Sequence, residues 1–117
     1  KINIMSREIK FRAWDIDNKR MFRNCFKLNK KGNEVWVQFE NQSSDNLIWE
    51  QFTGLKDKNG VDIYEGDELL YAGAKGEVYY SNDTCMFMVR FKLQRSSWSF
   101  DSMDDIIEVI GNIHETK

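Results

Sequence analysis

Histidine and cysteine are scarce in this 117-residue chain, and their scarcity removes whole classes of chemistry. His114 is the sole imidazole. It stands beside Glu115 near the end of the chain, where covering the final strand is a simpler use for it than general-base work. Cys25 and Cys85 are far apart and neither has a second cysteine close by, so the paired spacing of a structural zinc site is missing. Both read as free thiols of a reducing compartment, with a disulfide between them as the alternative that the count alone allows. A basic surplus is missing as well: 17 Lys and Arg stand against 19 Asp and Glu, a formal net charge of -2 with a pI near 5.4. Proteins that hold duplex phosphates non-specifically carry the opposite balance. No run approaches the roughly 18 apolar residues that cross a bilayer. No secretory h-region opens the chain, and no segment sustains a long helical period.

What is present is a strand pattern. Hydrophobic residues make up 41% and charged residues 31%, interleaved rather than gathered in blocks, which describes one folded domain or a small barrel with an extra layer. Met5-Ser6-Arg7-Glu8 fits a native start, with Lys1-Ile2-Asn3-Ile4 as an expression remnant set aside from fold reasoning. From Glu8 the alternation puts Ile9, Phe11 and Ala13 on one face and Lys10, Arg12 and Trp14 on the other, a half-buried strand with a polar side. Turn formers from Asp15 to Lys19 then let Arg20-Met21-Phe22-Arg23 return as the second arm of a hairpin. Val35 to Phe39 alternates after a Lys31-Gly32-Asn33 turn, and Leu47 to Phe52 follows a polar loop, with Trp49 read as core.

The densest signal is the run from Phe52 through Asp67. Asn59-Gly60 tolerates positive φ at both central turn positions, so Val61-Asp62-Ile63-Tyr64 is expected to leave a hairpin turn as a short strand. Glu65-Gly66-Asp67 repeats the punctuation: Gly66 is expected in a left-handed conformation, with the Asp67 carboxylate bonded to amides just beyond it. Leu69-Leu70-Tyr71 follows as a strand, then a Gly73-Ala74-Lys75-Gly76 turn, Glu77 to Tyr80, a Ser81-Asn82-Asp83 turn, and Thr84 to Phe91. Turns at this spacing describe a small barrel. Trp98-Ser99-Phe100 is a further strand or the entry to a turn, the acidic stretch Asp101 to Asp105 suits the cap of one short helical turn, and Ile106 to Ile113 closes the fold as a strand.

Three segments in order, Arg7-Glu8-Ile9-Lys10-Phe11-Arg12-Ala13-Trp14-Asp15, then Phe52-Thr53-Gly54-Leu55-Lys56-Asp57 through Tyr64-Glu65-Gly66-Asp67, then Glu108-Val109-Ile110-Gly111-Asn112-Ile113-His114-Glu115, resemble the YopX family. The resemblance covers nearly the whole chain from Met5, with no family pattern between Phe26 and Leu47 or between Lys92 and Met103. It implies an all-β fold in which an SH3-like barrel carries an additional N-terminal β-layer. It also implies an origin in bacteriophages and prophages, and hence a bacterial host cytoplasm. The expected division is a β-meander over 5–51 and a barrel over 52–117, packed as one compact unit. Gly54, Asp57, Gly60, Glu65, Gly66, Asp67, Gly111 and Asn112 form its structural motif, and the resemblance brings no catalytic residues.

The residues themselves supply little chemistry. Asp101, Asp104 and Asp105 lack the alternating ligands and terminal glutamate of a calcium loop. Gly73 to Gly76 lacks the length and the ending of a phosphate-binding loop. The expectation is a protein that is not an enzyme and has no cofactor or metal. Its partner is expected to be a phage or host protein or a second copy of itself, without a membrane role. Met86 and Met88, with Tyr80, form the expected self-association surface, because Phe87, Val89 and Phe91 claim the opposite face of their strand. Single-stranded nucleic acid is the second reading. Trp14, Trp36 and Trp98 are its stacking candidates, with Arg12, Lys92 and Arg95 nearby; each tryptophan is also a core candidate. The cluster Lys27, Lys30 and Lys31 reads as a solvated loop. Arg12 is further expected either to tie the N-terminal layer to the acidic turn at Glu65 and Asp67 or to join Trp14 on a partner surface.

Overall fold

A computed structural model describes residues 9–28, 35–37, 46–103 and 105–115, with the backbone alone described for 24–28 and 35–37. The expectations placed on Lys1 to Glu8, Lys30 to Asn33, Gln42 to Asp45 and Asp104 lie outside the described residues. Among the described residues there are ten strands and one 3-10 turn, an all-β architecture. They fall into two compact units that divide between Gly54 and Leu55.

In the first unit β1 (Ile9–Asp15) is central, flanked by β2 (Arg20–Leu28) and by the start of β4 (Leu47–Lys56), with β3 (Val35–Val37) beyond β2. All three pairings are antiparallel. The strand is not half-buried as its alternation suggests. Lys10, Arg12 and Trp14 are buried along with Ala13 and Asp15, and Lys10 and Arg12 each have a partner on β4. Lys10 Nζ lies 4.6 Å from the centre of the Phe52 ring. Arg12 stands directly opposite Glu50 in the β1–β4 register. Turning Glu50 inward sends its neighbour Trp49 to the other side of β4. Trp49 is consequently 42% exposed, not a core residue.

The second unit begins with the end of β4, which turns back into β5 (Asp62–Tyr64). Its five-stranded antiparallel sheet has the order β10-β6-β7-β8-β9, from β6 (Asp67–Tyr71), β7 (Ala74–Ser81), β8 (Met86–Phe91), β9 (Ser96–Ser99) and β10 (Glu108–Asn112). Alternate residues of these strands close one core: Leu69, Val78, Val89 and Phe91, joined by Ile63, Met103 and Ile107. Gly76 belongs to β7 and not to the preceding turn. A Cβ there would lie 2.5 Å from Val89 Cγ1 and 2.9 Å from Phe91 Cε1, so two core side chains occupy the space that any larger residue needs. The turn itself is Ala72-Gly73, both with positive φ (51 and 85), a two-residue hairpin closing on the Tyr71–Ala74 pair.

Three other hairpins share one device that the sequence hides. Four-residue loops join Asp15 to Arg20, Ser81 to Met86 and Phe91 to Ser96, and the last loop residue in each takes positive φ: Lys19 (55), Cys85 (56) and Arg95 (53). No glycine marks these bends, so the strand entry expected at Thr84 begins instead at Met86. The 3-10 turn Phe100–Ser102 sits where a short helical turn was expected. Its N-cap is Ser99, without a side-chain cap bond, so Asp101 lies within the turn and does not cap it.

Candidate functional site

The polar residues of the recognisable motifs converge on backbone amides. Asp57, buried at the end of β4, accepts the N–H groups of Asn59 (2.8 Å) and Val61 (2.9 Å) on Oδ1 and that of Val109 in β10 (2.9 Å) on Oδ2. Asp57 N–H also donates to the Val61 carbonyl, and Gly60 N–H to the Asp57 carbonyl. Gly60 has φ 83, whereas Asn59 is not among the residues of positive φ. The bend is therefore a wider loop held by a carboxylate, and not the two-residue turn that Asn59-Gly60 suggests. Burial alone would raise the Asp57 pKa. The three amide donors and nearby Lys58 overturn that and hold the carboxyl below its ordinary value.

Asp67 repeats the device across the next bend: its Oδ2 accepts Tyr64 N–H at 2.8 Å, three residues upstream. Between them Glu65-Gly66 makes the bend, with Gly66 at φ 89, its N–H on the Val78 carbonyl and its own carbonyl accepting Ile113 N–H. Asn112 Oδ1 accepts the N–H groups of His114 and Glu115, both at 3.0 Å, while its Nδ2 donates to Glu115 Oε1 at 2.8 Å. Asp15 does the same for Asp17 and Asn18. Gly54 takes φ 91 within β4, and Gly111 lies at the register shift between β10 and β6. The motif thus reads, residue by residue, as turn chemistry.

Arg12 is 1% exposed and its Nε donates to Glu50 Oε1 at 2.9 Å. Trp14 is 7% exposed. Neither belongs to an accessible surface, because the face of β1 that carries them is covered. Trp36 lies in β3 opposite Lys27, with its side chain outside the described part. Trp98 is 42% exposed, its ring centre 6.5 Å from that of Tyr71. The structure also separates the expected apolar trio. Met86 and Met88 share the outer face of β8, but Tyr80 pairs with Phe87 on the other face, their ring centres 5.3 Å apart. Met88 Sδ further accepts the hydroxyls of Tyr79 (3.9 Å) and Thr84 (3.4 Å), so exposed Met86 is left as the open member.

Described residues of the second unit line a pair of cavities of about 360 Å³ each. One is lined by Asp57, Lys56, Lys58, Asp101 and Asp105 over Ile63, Phe100 and Ile107. The one perturbed carboxylate in it, Asp57, is already engaged by three donors and has a lowered pKa, the opposite of what a general base near neutral pH requires. The other is lined by Arg90, Phe91, Lys92, Arg95, Ser96 and Ser97. Arg90 lies over the Tyr79 ring at 4.0 Å, which holds its guanidinium at the sheet surface. Arg90, Ser96 and Ser97 were not singled out from sequence, yet a signal exists: Thr84 to Phe100 contains three cations, Arg90, Lys92 and Arg95, and no carboxylate. Among the described residues no group of His, Cys, Asp and Glu is placed to hold a metal ion, and no helix is long and apolar enough to cross a membrane.

These features define a small all-β protein whose signature residues tie turns. The YopX protein family matches over residues 10–117, and the chain belongs to that family. It is similar to the crystal structure of protein EF1440 from Enterococcus faecalis, with 31% identity and a TM-score of 0.63 over 92% of this chain and 94% of that one. No match is found among curated proteins.

Proposed function

We propose that this protein is a non-enzymatic interaction module that docks a protein partner on the β8–β9 hairpin. The observation that carries this reading is the exposure of that hairpin: Leu93 at its tip is 91% exposed, with Trp98 and Met86 also open, in a stretch free of carboxylates. The engaged motif carboxylates support a non-catalytic role. In the same reading, β6 to β10 form an SH3-like barrel, supported by a last strand that returns beside the first and by the 3-10 turn preceding it. The phage or prophage origin and the bacterial cytoplasm belong to the proposal as well. Cys85, free and exposed, suits a reducing compartment.

The test is affinity capture from phage-infected host cells with nuclease treatment, comparing the parent with a Leu93→Ala, Trp98→Ala variant. A partner retained by the parent after nuclease and lost by the variant supports the reading. Equal recovery by both, or loss on nuclease treatment, refutes it. Self-association through Met86 is a narrower form of the same reading: light scattering should show an oligomer that Met86→Asp weakens, and a monomer at every concentration rejects it. The groove of Arg90, Lys92 and Arg95 favours one second reading, weak single-stranded nucleic-acid binding that added salt abolishes.

A further inference from the structure

The two edges of the second sheet are unlike. At the β10 edge, Asp57 Oδ2 accepts the Val109 N–H and the Ile107 carbonyl accepts the Lys58 N–H, so the loop after β4 blocks the places where another strand would pair. At the β9 edge, Ser96 to Ser99 pair with Phe91 to Met88, and among the described residues no further backbone bond reaches them. Ser96-Ser97-Trp98-Ser99 holds neither a charge nor a proline, two common guards of an exposed edge. Alternate N–H and C=O groups of β9 therefore point away from the sheet.

The faces beside this edge also differ. Ser97 sits opposite Arg90 on the outer face, next to the groove completed by Lys92 and Arg95. Trp98 sits opposite Val89 on the other face and remains open. A strand added to β9 would meet guanidinium and ammonium groups on one side and indole on the other. In a chain of net charge -2, this hairpin holds three cations and no carboxylate, and with Glu77 of β7 directly opposite Arg90 the local balance is still positive.

Resting on the reading of the hairpin as a protein-docking surface, we propose that the β9 edge takes an extended acidic segment of the partner as an added strand, acidic residues beside Arg90 and Arg95 and apolar residues beside Trp98. Main-chain bonds supply the pairing, and the alternate side chains supply selection. A peptide is favoured over a nucleic-acid strand because the open feature is a row of backbone donors and acceptors, which a peptide matches in register and a phosphodiester does not.

The probes are three peptides, one of alternating Glu and Val, one scrambled from it and one of alternating Lys and Val, together with an oligothymidylate. They are titrated into the full ¹⁵N-labelled chain. The expected result is binding of the Glu-Val peptide with slowed exchange of the outward β9 amides, little binding of the other two peptides, and at least about a tenfold loss with an Arg90→Glu, Arg95→Glu variant whose spectrum stays folded. Unchanged β9 amide exchange, equal binding of the scrambled peptide, or tighter binding of the oligothymidylate would overturn the proposal. If the acidic peptide fails while cellular capture still depends on Leu93 and Trp98, the hairpin remains a docking surface and strand addition alone is lost.

Discussion

Replacing Asp57 separates a turn tie from a ligand-binding carboxylate. In Asp57→Asn the side-chain oxygen can still serve Asn59 and Val61, but an amide nitrogen then faces the Val109 N–H, donor against donor. Hydrogen bonds to a charged group contribute about 1.5–3 kcal/mol each. Asn59 and Val61 are exposed and their amides regain water, whereas Val109 lies on a half-buried strand. The cost of Asp57→Asn is therefore about 2 kcal/mol, and that of Asp57→Ala about 3 kcal/mol. Urea denaturation at pH 7 measures both, and amide exchange at Val109 should speed up in each variant. The folded pKa lies below the unfolded one, so the stability this group contributes is fully present above about pH 4 and drains as the pH falls through the folded value. The acid limb of the stability profile should flatten in Asp57→Asn. A loss under about 0.5 kcal/mol at pH 7 with Val109 still protected would refute the structural role.

Arg12→Ala leaves Glu50 buried without the guanidinium and should cost about 3–5 kcal/mol in chemical denaturation; an unchanged midpoint would remove Arg12 from the determinants of the fold. Gly76→Ala should destabilise by about 1–3 kcal/mol through overpacking, although alanine is ordinarily the better strand residue. Adding Val89→Ala to it should cost less than the sum of the two single changes, since the clash and the removed methyls share one space. Cys85→Gly and Arg95→Gly should each raise stability by about 0.5 kcal/mol, because a left-handed residue with a Cβ is strained by about 1–2 kcal/mol and glycine returns part of that in backbone entropy. Thermal melts that fall for both would show that the side chains matter more than the backbone strain.

Local signals were enough to read the strands and several of the bends. Period-two alternation fixes which segments extend, and Gly66 announces its bend because few other residues take that backbone cheaply. The family was legible for the same reason: its signature lies in turn residues, whose requirements are local. What alternation could not assign is the occupant of each face. Whether the side of β1 carrying Arg12 and Trp14 meets water or protein depends on β4, which enters the chain only at Leu47 and brings Glu50 into register. The same long-range pairing turned Trp49 outward, and the placement of Tyr80 opposite Phe87 divided a surface that looked continuous in one dimension. Asp57 is the sharpest case. Its sequence neighbours announce a turn, but its third bond reaches Val109, a contact that exists only once the closing strand has come back beside the bend. Local residue chemistry determined the class of this protein, and tertiary pairing decided which polar groups are buried and which sheet edge stays open.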